Sequence, residues 1–420
     1  MKKPIFLLLV LGLTQGAFTQ TFELSAEIRP RLEYLHGFKT LMLDTLDAAA
    51  FVSQRTRLNF DYNSEKIEAY LSLQNIRTWG DVATLNSSDK NGLAIQQAWA
   101  SLFLSPQFSL KLGRQEISYD DERIFGSVGW AQQARSHDAL LAILNPNDKH
   151  QLEIGFALNA EAETLFEVPY RLNNYKTFQY LWYHTSFTHA GLSILALNNG
   201  MSYEENSAQK TVYNQTLGMH FTFFKNKLKG DTSFYFQGGK IGNQSLSAYN
   251  FGANFYYAVA QKFTAGLGIE YLSGTDMNTT STKLKSFTPW YGTNHKFNGW
   301  MDYFYVGNHN NSVGLLDINA TLTYRKNKFS ATLNPHIFSA AAVVVDETNT
   351  KMNKALGTEW DLVMQYKWTD VVAFQAGYSQ MFATKTMEVL KEGNKDNTNN
   401  WAWVMITVKP SLFKTSFEKN

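Results

Sequence analysis

A two-residue alternation of polar and apolar side chains is the feature that most constrains the fold of this chain. In the segment 22–36, apolar residues alternate with charged ones, and the charged face carries Glu27, Arg29, Arg31 and Glu33. Successive side chains of a β-strand point to opposite faces, so this pattern predicts a strand with one apolar and one polar face. The chain is therefore expected to be an all-β protein.

The same alternation recurs along the whole sequence and marks about eighteen strands, an even number that is typical of a bacterial single-chain barrel. The predicted spans are 22–36, 51–62, 66–77, 95–104, 108–116, 137–144, 150–158, 177–186, 190–198, 212–223, 228–238, 247–258, 262–272, 313–324, 329–338, 355–367, 371–382 and 400–408.

The lengths of the connections favour one of the two folds that alternation allows. A soluble β-sandwich and a membrane barrel both alternate, the first with its apolar face inward. Here long links such as 37–50 and 78–94 alternate with short ones such as 63–65 and 105–107. Transmembrane barrels have short periplasmic turns and long outer loops. The sequence thus predicts an antiparallel transmembrane β-barrel of eighteen strands in the bacterial outer membrane, as one domain over residues 20–420.

The N-terminus has the pattern of a secretory signal peptide. Lys2 and Lys3 precede the apolar run 5–13, and small or polar residues follow. This run is too short to span a bilayer as a helix. Residues 1–19 are predicted to be a signal peptide that is cleaved after Thr19. Both termini of the barrel are expected on the side of the short turns, in the periplasm.

Composition adds two constraints. The chain has 30 Phe, 21 Tyr and 10 Trp but no cysteine, so its stability must come from strand pairing and packing rather than from disulfides. Without Lys2 and Lys3, 36 basic side chains balance 36 acidic ones, so any electrostatic function depends on how the charges are distributed. Aromatic residues beside the short turns predict a girdle at the periplasmic interface. They are Phe60, Tyr62, Phe223, Phe224, Tyr256, Tyr257, Tyr324, Tyr366 and Trp368.

Four arginines are predicted to share one patch of the lumen wall. A hairpin centred near Asp44 sets Arg29 opposite Arg57 and Arg31 opposite Arg55, on the charged face. Like charges directly opposite each other destabilise a sheet, so packing alone does not account for the pattern. The arginines either solvate a wide, wet lumen or form a track for an anionic solute.

Neighbouring acids are expected to neutralise part of this charge. Glu27 and Glu33 lie on the same face as the arginines, and Asp61 follows on the next strand. Across the short turn near Ser64, the expected register sets Asp61 opposite Glu68 and Arg55 opposite Gln74.

The stretch 113–139 is an unusually charged link between two predicted strands. Arg114, Arg123 and Arg135 are expected at the outer mouth, where guanidinium groups can bind carboxylates through paired hydrogen bonds. Asp120, Asp121, Glu122 and Asp138 are the acids expected to hold them in place. A purely structural loop, in which the arginines bind backbone carbonyls and acids to fix an inward fold, is the alternative.

Two motifs resemble those of the alginate-export outer-membrane porin family. The first comprises Gly113-Arg114-Gln115, the run Tyr119 to Gly126, Trp130, Arg135 and His137-Asp138-Ala139, and the second comprises Tyr291 to Phe297 with Gly299 and Asp302. The resemblance implies an eighteen-stranded barrel whose arginine-lined pore passes a polyuronate outward. The partners to be expected are an anionic polysaccharide, outer-membrane lipid and periplasmic export components, with no role for nucleic acid.

Two other functions remain open. A general or small-anion porin shares all the barrel features and differs only in solute size. A barrel enzyme is the third class, and His137 beside Asp138 is its best hint, although adjacent strand residues face opposite ways. The sequence contains no HExxH, Walker or GxSxG motif, and it predicts no enzyme, no cofactor and no metal site.

The alternation of polar and apolar residues does not predict where two segments lie relative to the barrel. The link 273–312 is the longest irregular segment and either covers the outer mouth or folds inward. Residues 410–420 are expected to trail past the last strand.

Overall fold

The computed structural model describes residues 20–171, 175–206, 208–309 and 312–417. The predicted signal peptide, residues 1–19, lies outside the described residues. The described residues form a closed antiparallel β-barrel of eighteen strands, as the alternation predicted.

The first eight strands come close to their predicted bounds, and the ninth extends past its predicted end at residue 198. They are β1 (Gln20–His36), β2 (Ala49–Asn63), β3 (Ile67–Thr78), β4 (Ala94–Ser105), β5 (Phe108–Gln115), β6 (His137–Asn147), β7 (His150–Leu158), β8 (Thr177–Ser186) and β9 (Ala190–Glu205). The others are β10 (Ala208–Lys225), β11 (Leu228–Ile241), β12 (Gln244–Ala260), β13 (Phe263–Leu272), β14 (Leu315–Lys326), β15 (Phe329–Ser339), β16 (Ala355–Lys367), β17 (Val372–Ala383) and β18 (Asn399–Val408, continued in Ser411–Phe417).

Residues 411–417 pair with β1, so the expectation that the tail trails past the last strand was wrong for the described part of 410–420. The upper part of β1 pairs with Asn399–Val408, whereas Gln20 to Ser25 pair with Ser411–Phe417. Pro410 has no backbone N–H and interrupts the ladder, but its carbonyl accepts a hydrogen bond from Ala26 N at 3.0 Å. The second segment of β18 therefore extends the seam past this break.

Strand parity separates a lipid face from a lumen face. Ile28, Leu267 and Phe382 are among the large apolar side chains exposed on the outer surface, and Leu267 is 69% exposed. Polar residues take the alternate, inward positions. The apolar face therefore points outward, as in a barrel that crosses a bilayer and unlike a soluble sandwich.

The strict alternation of long and short links fails at two outer connections. Strands β9 to β12 contain 16, 18, 14 and 17 residues, more than the roughly 9–11 that cross a bilayer. Ile241 pairs with Gln244, and Glu205 pairs with Ala208. Most residues of these two predicted links therefore belong to strands that extend beyond the membrane. Their backbone N–H and C=O groups are satisfied by pairing with the neighbouring strand.

Two long connections fold into the barrel. The inward loop, residues 116–136, joins β5 to β6, and the long loop, residues 273–314, joins β13 to β14. The long loop contains a two-residue strand, Lys283–Leu284, parallel to β12, and a 3₁₀ turn, Asn294–Lys296. Phe287, Met301 and Tyr303 within it are fully buried. Of the two placements open from the sequence, the long loop takes the inward one.

The link between β17 and β18 carries the helix α1 (Lys385–Lys391). The hydroxyl of Thr384 caps it by accepting a hydrogen bond from Met387 N. Within the part of the chain that the structure describes, no helix is long and apolar enough to cross a lipid bilayer.

The predicted aromatic girdle is only partly on the outer surface. Tyr257, Tyr366 and Trp368 are exposed there, near the short turns. Tyr256 takes an inward position on β12 and lines a cavity in the lumen. The strand period sets this difference, since neighbours such as Tyr256 and Tyr257 face opposite ways.

We expect proteases added to intact cells to cut in the exposed links 81–93 and 160–171, which contain Leu85 and Leu165. These side chains are 95% and 96% exposed, and exposed loop tips are preferred cleavage sites. The segment 286–305 should resist cutting because it is packed in the lumen. Mass spectrometry of the released peptides checks this, and preferential cutting at the short turn 64–66 would reverse the orientation.

Candidate channel interior

The four wall arginines lie together on the inward faces of β1 and β2, but in a different register from the predicted one. Arg29 pairs with Arg55, whereas Arg57 lies opposite Glu27 and Arg31 opposite Ser53. Leu35 pairs with Ala49, so the hairpin is centred at residue 42 rather than near Asp44. The shift moves each pair by two positions, so every side chain keeps its face.

The next hairpin also differs from the predicted register. Asp61 pairs with Tyr70, not Glu68, and Arg57, not Arg55, lies opposite Gln74. The turn is set by Ser64, whose N–H and hydroxyl both donate to the carbonyl of Ile67. Arg57 Nε donates to Gln74 Oε1 at 3.1 Å, which fixes this guanidinium against β3.

The guanidinium groups of the wall bind the inward loop. Arg29 donates to Gly129 O at 2.8 Å and to Trp130 O at 3.0 Å, and Arg31 donates to Trp130 O at 2.8 Å. The carbonyls of residues 131–133 accept further, longer bonds from the wall arginines. Segment 129–133 therefore lies directly on the arginine patch, and all four arginines are buried beneath it.

Two acids complete this patch. Glu27 Oε1 lies 2.7 Å from Arg55 Nη2, and Glu33 Oε1 lies 2.9 Å from Arg31 Nε. Lys409 Nζ approaches Glu27 at 3.6 Å. Glu27 and Glu33 thus form ion pairs with arginines of the patch.

Trp130 anchors the same segment through its ring. The guanidinium carbon of Arg31 lies 4.1 Å from the ring centroid of Trp130, and His295 of the long loop stacks at 4.9 Å. Trp403 meets the ring edge-on at 4.7 Å. Cation–π and aromatic contacts therefore link the arginine patch, both loops and β18.

Arg123 is buried in the centre of the barrel rather than at the outer mouth. Its side chain is 1% exposed, and Nη2 lies 2.7 Å from Glu270 Oε1 on β13. The same nitrogen donates to Asn298 Oδ1 at 2.8 Å, and the guanidinium lies 4.3 Å from the ring centroid of Phe297. Arg123 thus joins the inward loop to the long loop and to the wall.

The remaining charges of the inward loop also make structural contacts. Arg135 donates to Gly292 O at 3.0 Å, which joins the two loops. Asp120 accepts from Trp182 Nε1 at 3.1 Å, and Glu122 accepts from the hydroxyls of Ser118 and Ser127. These contacts match the alternative in which the loop's charges fix an inward fold.

Arg114, Asp138 and Asp61 lie apart from the arginine patch. Arg114 and Asp138 pair on the outer face of β5 and β6, with Nη1 and Oδ2 at 2.9 Å. Asp61 lies opposite Glu23 on the lumen face, towards the short turns. Arg114 and Asp138 therefore do not line the lumen, contrary to the sequence-based assignment, because alternation puts them on the same side as Leu112 and Leu140.

A second charged group, on the wall formed by β13 to β16, was not predicted. Glu270, Asp317, Glu359 and Asp361 point inward from β13, β14 and β16, and His336 Nδ1 lies 2.8 Å from Asp317 Oδ1. The backbone N–H groups of Met301 and Trp300 bind Glu359 and Asp361, so the acids hold the long loop. The alternation of polar and apolar residues puts these acids on the inward faces of their strands, and the sequence could have predicted the group from that pattern.

Burial shifts the titration of two loop groups. Desolvation lowers the pKa of the Arg135 guanidinium below its usual value. It raises the pKa of the Tyr291 hydroxyl, which donates to Asn199 Oδ1 at 2.6 Å. The neutral phenol therefore serves as a hydrogen-bond donor that fixes the long loop to β9.

His137 and Asp138 do not form a catalytic pair. His137 points inward and lies 3.0 Å from the hydroxyl of Tyr175, whereas Asp138 points outward to Arg114. Their opposite faces follow from strand geometry, as expected from the sequence.

Solved structures with the same fold are outer-membrane proteins. Acinetobacter baumannii OccAB4 is 13% identical, with a TM-score of 0.62 over 94% of this chain and 98% of that chain. Pseudomonas aeruginosa OccK9 (OpdG) is 10% identical, with a TM-score of 0.61 and the same coverage. P. aeruginosa OpdK, solved with vanillate, is 9% identical, with a TM-score of 0.58 over 94% of this chain and 99% of that chain. No curated protein matches the sequence.

The family comparison covers most of the chain. Residues 24–400 match the family described as alginate export. Together with the barrel and its lipid-facing apolar surface, this match supports a channel in the bacterial outer membrane rather than an enzyme. The protein belongs to the alginate export family of outer-membrane barrels.

Proposed function

We propose that this channel exports an anionic polysaccharide, an alginate-like polyuronate. The observation that carries the proposal is the arginine patch, in which four inward guanidinium groups on two adjacent strands face two carboxylates. The patch has two positive charges in excess (4 − 2 = 2), since it contains four arginines, Arg29, Arg31, Arg55 and Arg57, and two acids, Glu27 and Glu33. The family match supports the same class of cargo.

Segment 129–133 does not cancel this excess charge, although Glu116 at the start of the inward loop also acts on Arg57. Segment 129–133 meets the arginines mainly through backbone carbonyls and the amide of Gln132, which carry no net charge. The positive field therefore extends past the segment into the lumen, where it attracts carboxylates. Lys111, an inward cation on β5 that packs on Trp99, contributes on the same side.

Direct contact between a uronate and the arginines requires segment 129–133 to move. Its carbonyls occupy the donor positions that a carboxylate would otherwise take. In the described conformation the arginines act on a solute through their field, and the segment forms the boundary of the path. Arg123 and Arg135 support that boundary, and Arg114 is not part of the path.

The proposal extends to targeting and assembly. Residues 1–19 are proposed to supply the signal peptide, and periplasmic export components are proposed to deliver the polymer at the end with short turns. Outer-membrane lipid surrounds the apolar face.

A small-anion channel is the second candidate. It is favoured by the inward fold of both loops, since 116–136 and 273–314 lie within the lumen and narrow it. The two candidates share the positive wall and differ in the length of the solute.

Planar-bilayer recordings with uronate oligomers of increasing length should distinguish them. For a polyuronate channel we expect block that strengthens with chain length, because more carboxylates act in the same field, and that weakens as salt shortens the Debye length below about 8 Å. Neutral oligosaccharides of the same lengths are the matched control. Equal block by neutral and acidic oligomers would refute anion recognition, and monouronate block without length dependence would favour the small-anion channel.

A further inference from the structure

Three side chains from different parts of the chain meet inside the barrel. One ligand atom each of Asp121, His220 and Asp231 lies within 4.8 Å of the others. Asp121 belongs to the inward loop, whereas His220 and Asp231 point inward from the paired strands β10 and β11. None of these residues belongs to the arginine patch, which is formed by β1 and β2.

The imidazole of His220 has a buried nitrogen that is free to bind a metal ion. His220 is 5% exposed, and its Nδ1 is buried without a hydrogen bond. This nitrogen lies 3.7 Å from Asp121 Oδ2. Two ligands about 2.1 Å from one tetrahedral metal are about 3.4 Å apart, so this separation is too long for a hydrogen bond but suits a shared ion.

Each carboxylate is held in place through one oxygen. Asn254 Nδ2 donates to Asp231 Oδ2 at 2.9 Å, and Arg123 N donates to Asp121 Oδ1 at 3.0 Å. Such outer contacts orient metal ligands. Lys296 Nζ binds the backbone oxygen of Asp121 at 2.9 Å rather than a carboxylate oxygen. The oxygen of Asp121 that faces His220 is therefore not taken by this cation.

We infer that Asp121, His220 and Asp231 form a binding site for a divalent transition-metal ion, with Zn²⁺ as the leading candidate. One imidazole nitrogen and two carboxylate oxygens match the ligands of zinc, with water in a fourth position. Ca²⁺ prefers six to eight oxygens, which this cluster does not offer. A cavity of about 230 Å³, lined by Asp121 and Asp231, gives room for the water and for entry of the ion.

The ion would fix the inward loop at a second point. Segment 129–133 is bound by the arginines of β1 and β2, and Asp121 would be bound to β10 and β11 on another side of the lumen. Because Arg123 follows two residues later, the ion would also stabilise its contact with Glu270.

Calorimetric titration of the full-length, chelator-dialysed protein in detergent tests this site. We expect one equivalent of Zn²⁺ to bind and to raise the thermal midpoint, with Ca²⁺ and Mg²⁺ binding more weakly. His220→Gln and Asp231→Asn should each weaken zinc affinity by at least about 100-fold, more than is usual for an outer-shell change. His150→Gln, which alters a histidine that contacts Tyr183 near a short turn, should leave it unchanged.

Wild-type protein gives an independent readout if the variants fold poorly. Its zinc K-edge absorption spectrum should show nitrogen and oxygen ligands at about 2.0–2.2 Å, including imidazole. The inference is overturned if the wild type binds no stoichiometric zinc, if folded His220→Gln binds it equally well, if the spectrum shows no imidazole, or if Ca²⁺ binds more tightly.

Discussion

Simultaneous replacement of Arg29, Arg31, Arg55 and Arg57 by glutamine is expected to abolish the anion preference of the channel and to release segment 129–133 from the wall. Four positive charges are lost, and glutamine is too short to reproduce the guanidinium contacts with Gly129, Trp130 and the residues that follow. Hydrogen bonds from charged groups contribute about 1.5–3 kcal/mol each, so the segment loses several kcal/mol of anchoring.

Reversal potentials across a salt gradient measure the first effect, and proteolysis of residues 116–136 measures the second. The barrel itself should persist because its backbone ladders do not depend on these side chains. Glu27 and Glu33 would be left with few partners, so the same variant with both changed to glutamine serves as a folding check.

Lys111→Gln is the matched control, since it removes an inward cation that packs on Trp99 without a hydrogen bond to segment 129–133. It should shift the reversal potential slightly and leave segment 129–133 resistant to proteolysis. If the quadruple variant inserts normally and keeps its reversal potential, its uronate block and its protease resistance, the arginine patch neither selects anions nor fixes the loop.

Arg123→Gln is expected to destabilise the interior by about 3–5 kcal/mol, because it leaves a buried carboxylate without its partner. Glu270 lies 2.7 Å from Arg123 and shares the amide of Asn298 with Asp317. Without the guanidinium, two buried acids repel each other at the point where the inward loop, the long loop and the wall meet.

Thermal unfolding in detergent and proteolysis of the long loop measure this effect. The double variant Arg123→Gln/Glu270→Gln should be more stable than Arg123→Gln alone, since it removes the unpaired charge. Lys285→Gln, a change of an exposed side chain on the same loop, should stay within about 0.5 kcal/mol of the wild type. A double variant that is no more stable than the single one would show that Arg123 acts by packing on Phe297 rather than by charge.

The strand period made the barrel predictable. Strand positions and faces depend on neighbours one or two residues away, so local alternation predicted the inward positions of Arg29, Arg31, Arg55 and Arg57. The same parity places Arg114 outward with Leu112. The alternation of β5 thus predicts an outward Arg114, whereas the charge of the stretch 113–139 favoured a position at the outer mouth.

Register and loop length were less predictable. In the first hairpin, each residue of β1 pairs with a residue of β2 two positions earlier than predicted. The side chains keep their faces because the side-chain period of a strand is two residues. Many polar residues lie in the extensions of β9 to β12 and in the second segment of β18. Their composition is similar to that of loops, so the sequence did not predict them as strands.

The sequence alone determined that the chain forms a barrel, which faces of its strands meet lipid and which face the lumen, because those properties follow from short-range periodicity. Only the tertiary structure decided that both loops fold inward, that backbone carbonyls cover the arginine patch, and that Asp121 meets His220 and Asp231. Arg29 and Gly129 are 100 positions apart in the chain, and Arg123 and Asn298 are 175 apart. Contacts at such separations depend on how the closed barrel brings its walls around the loops, and no local pattern encodes that arrangement.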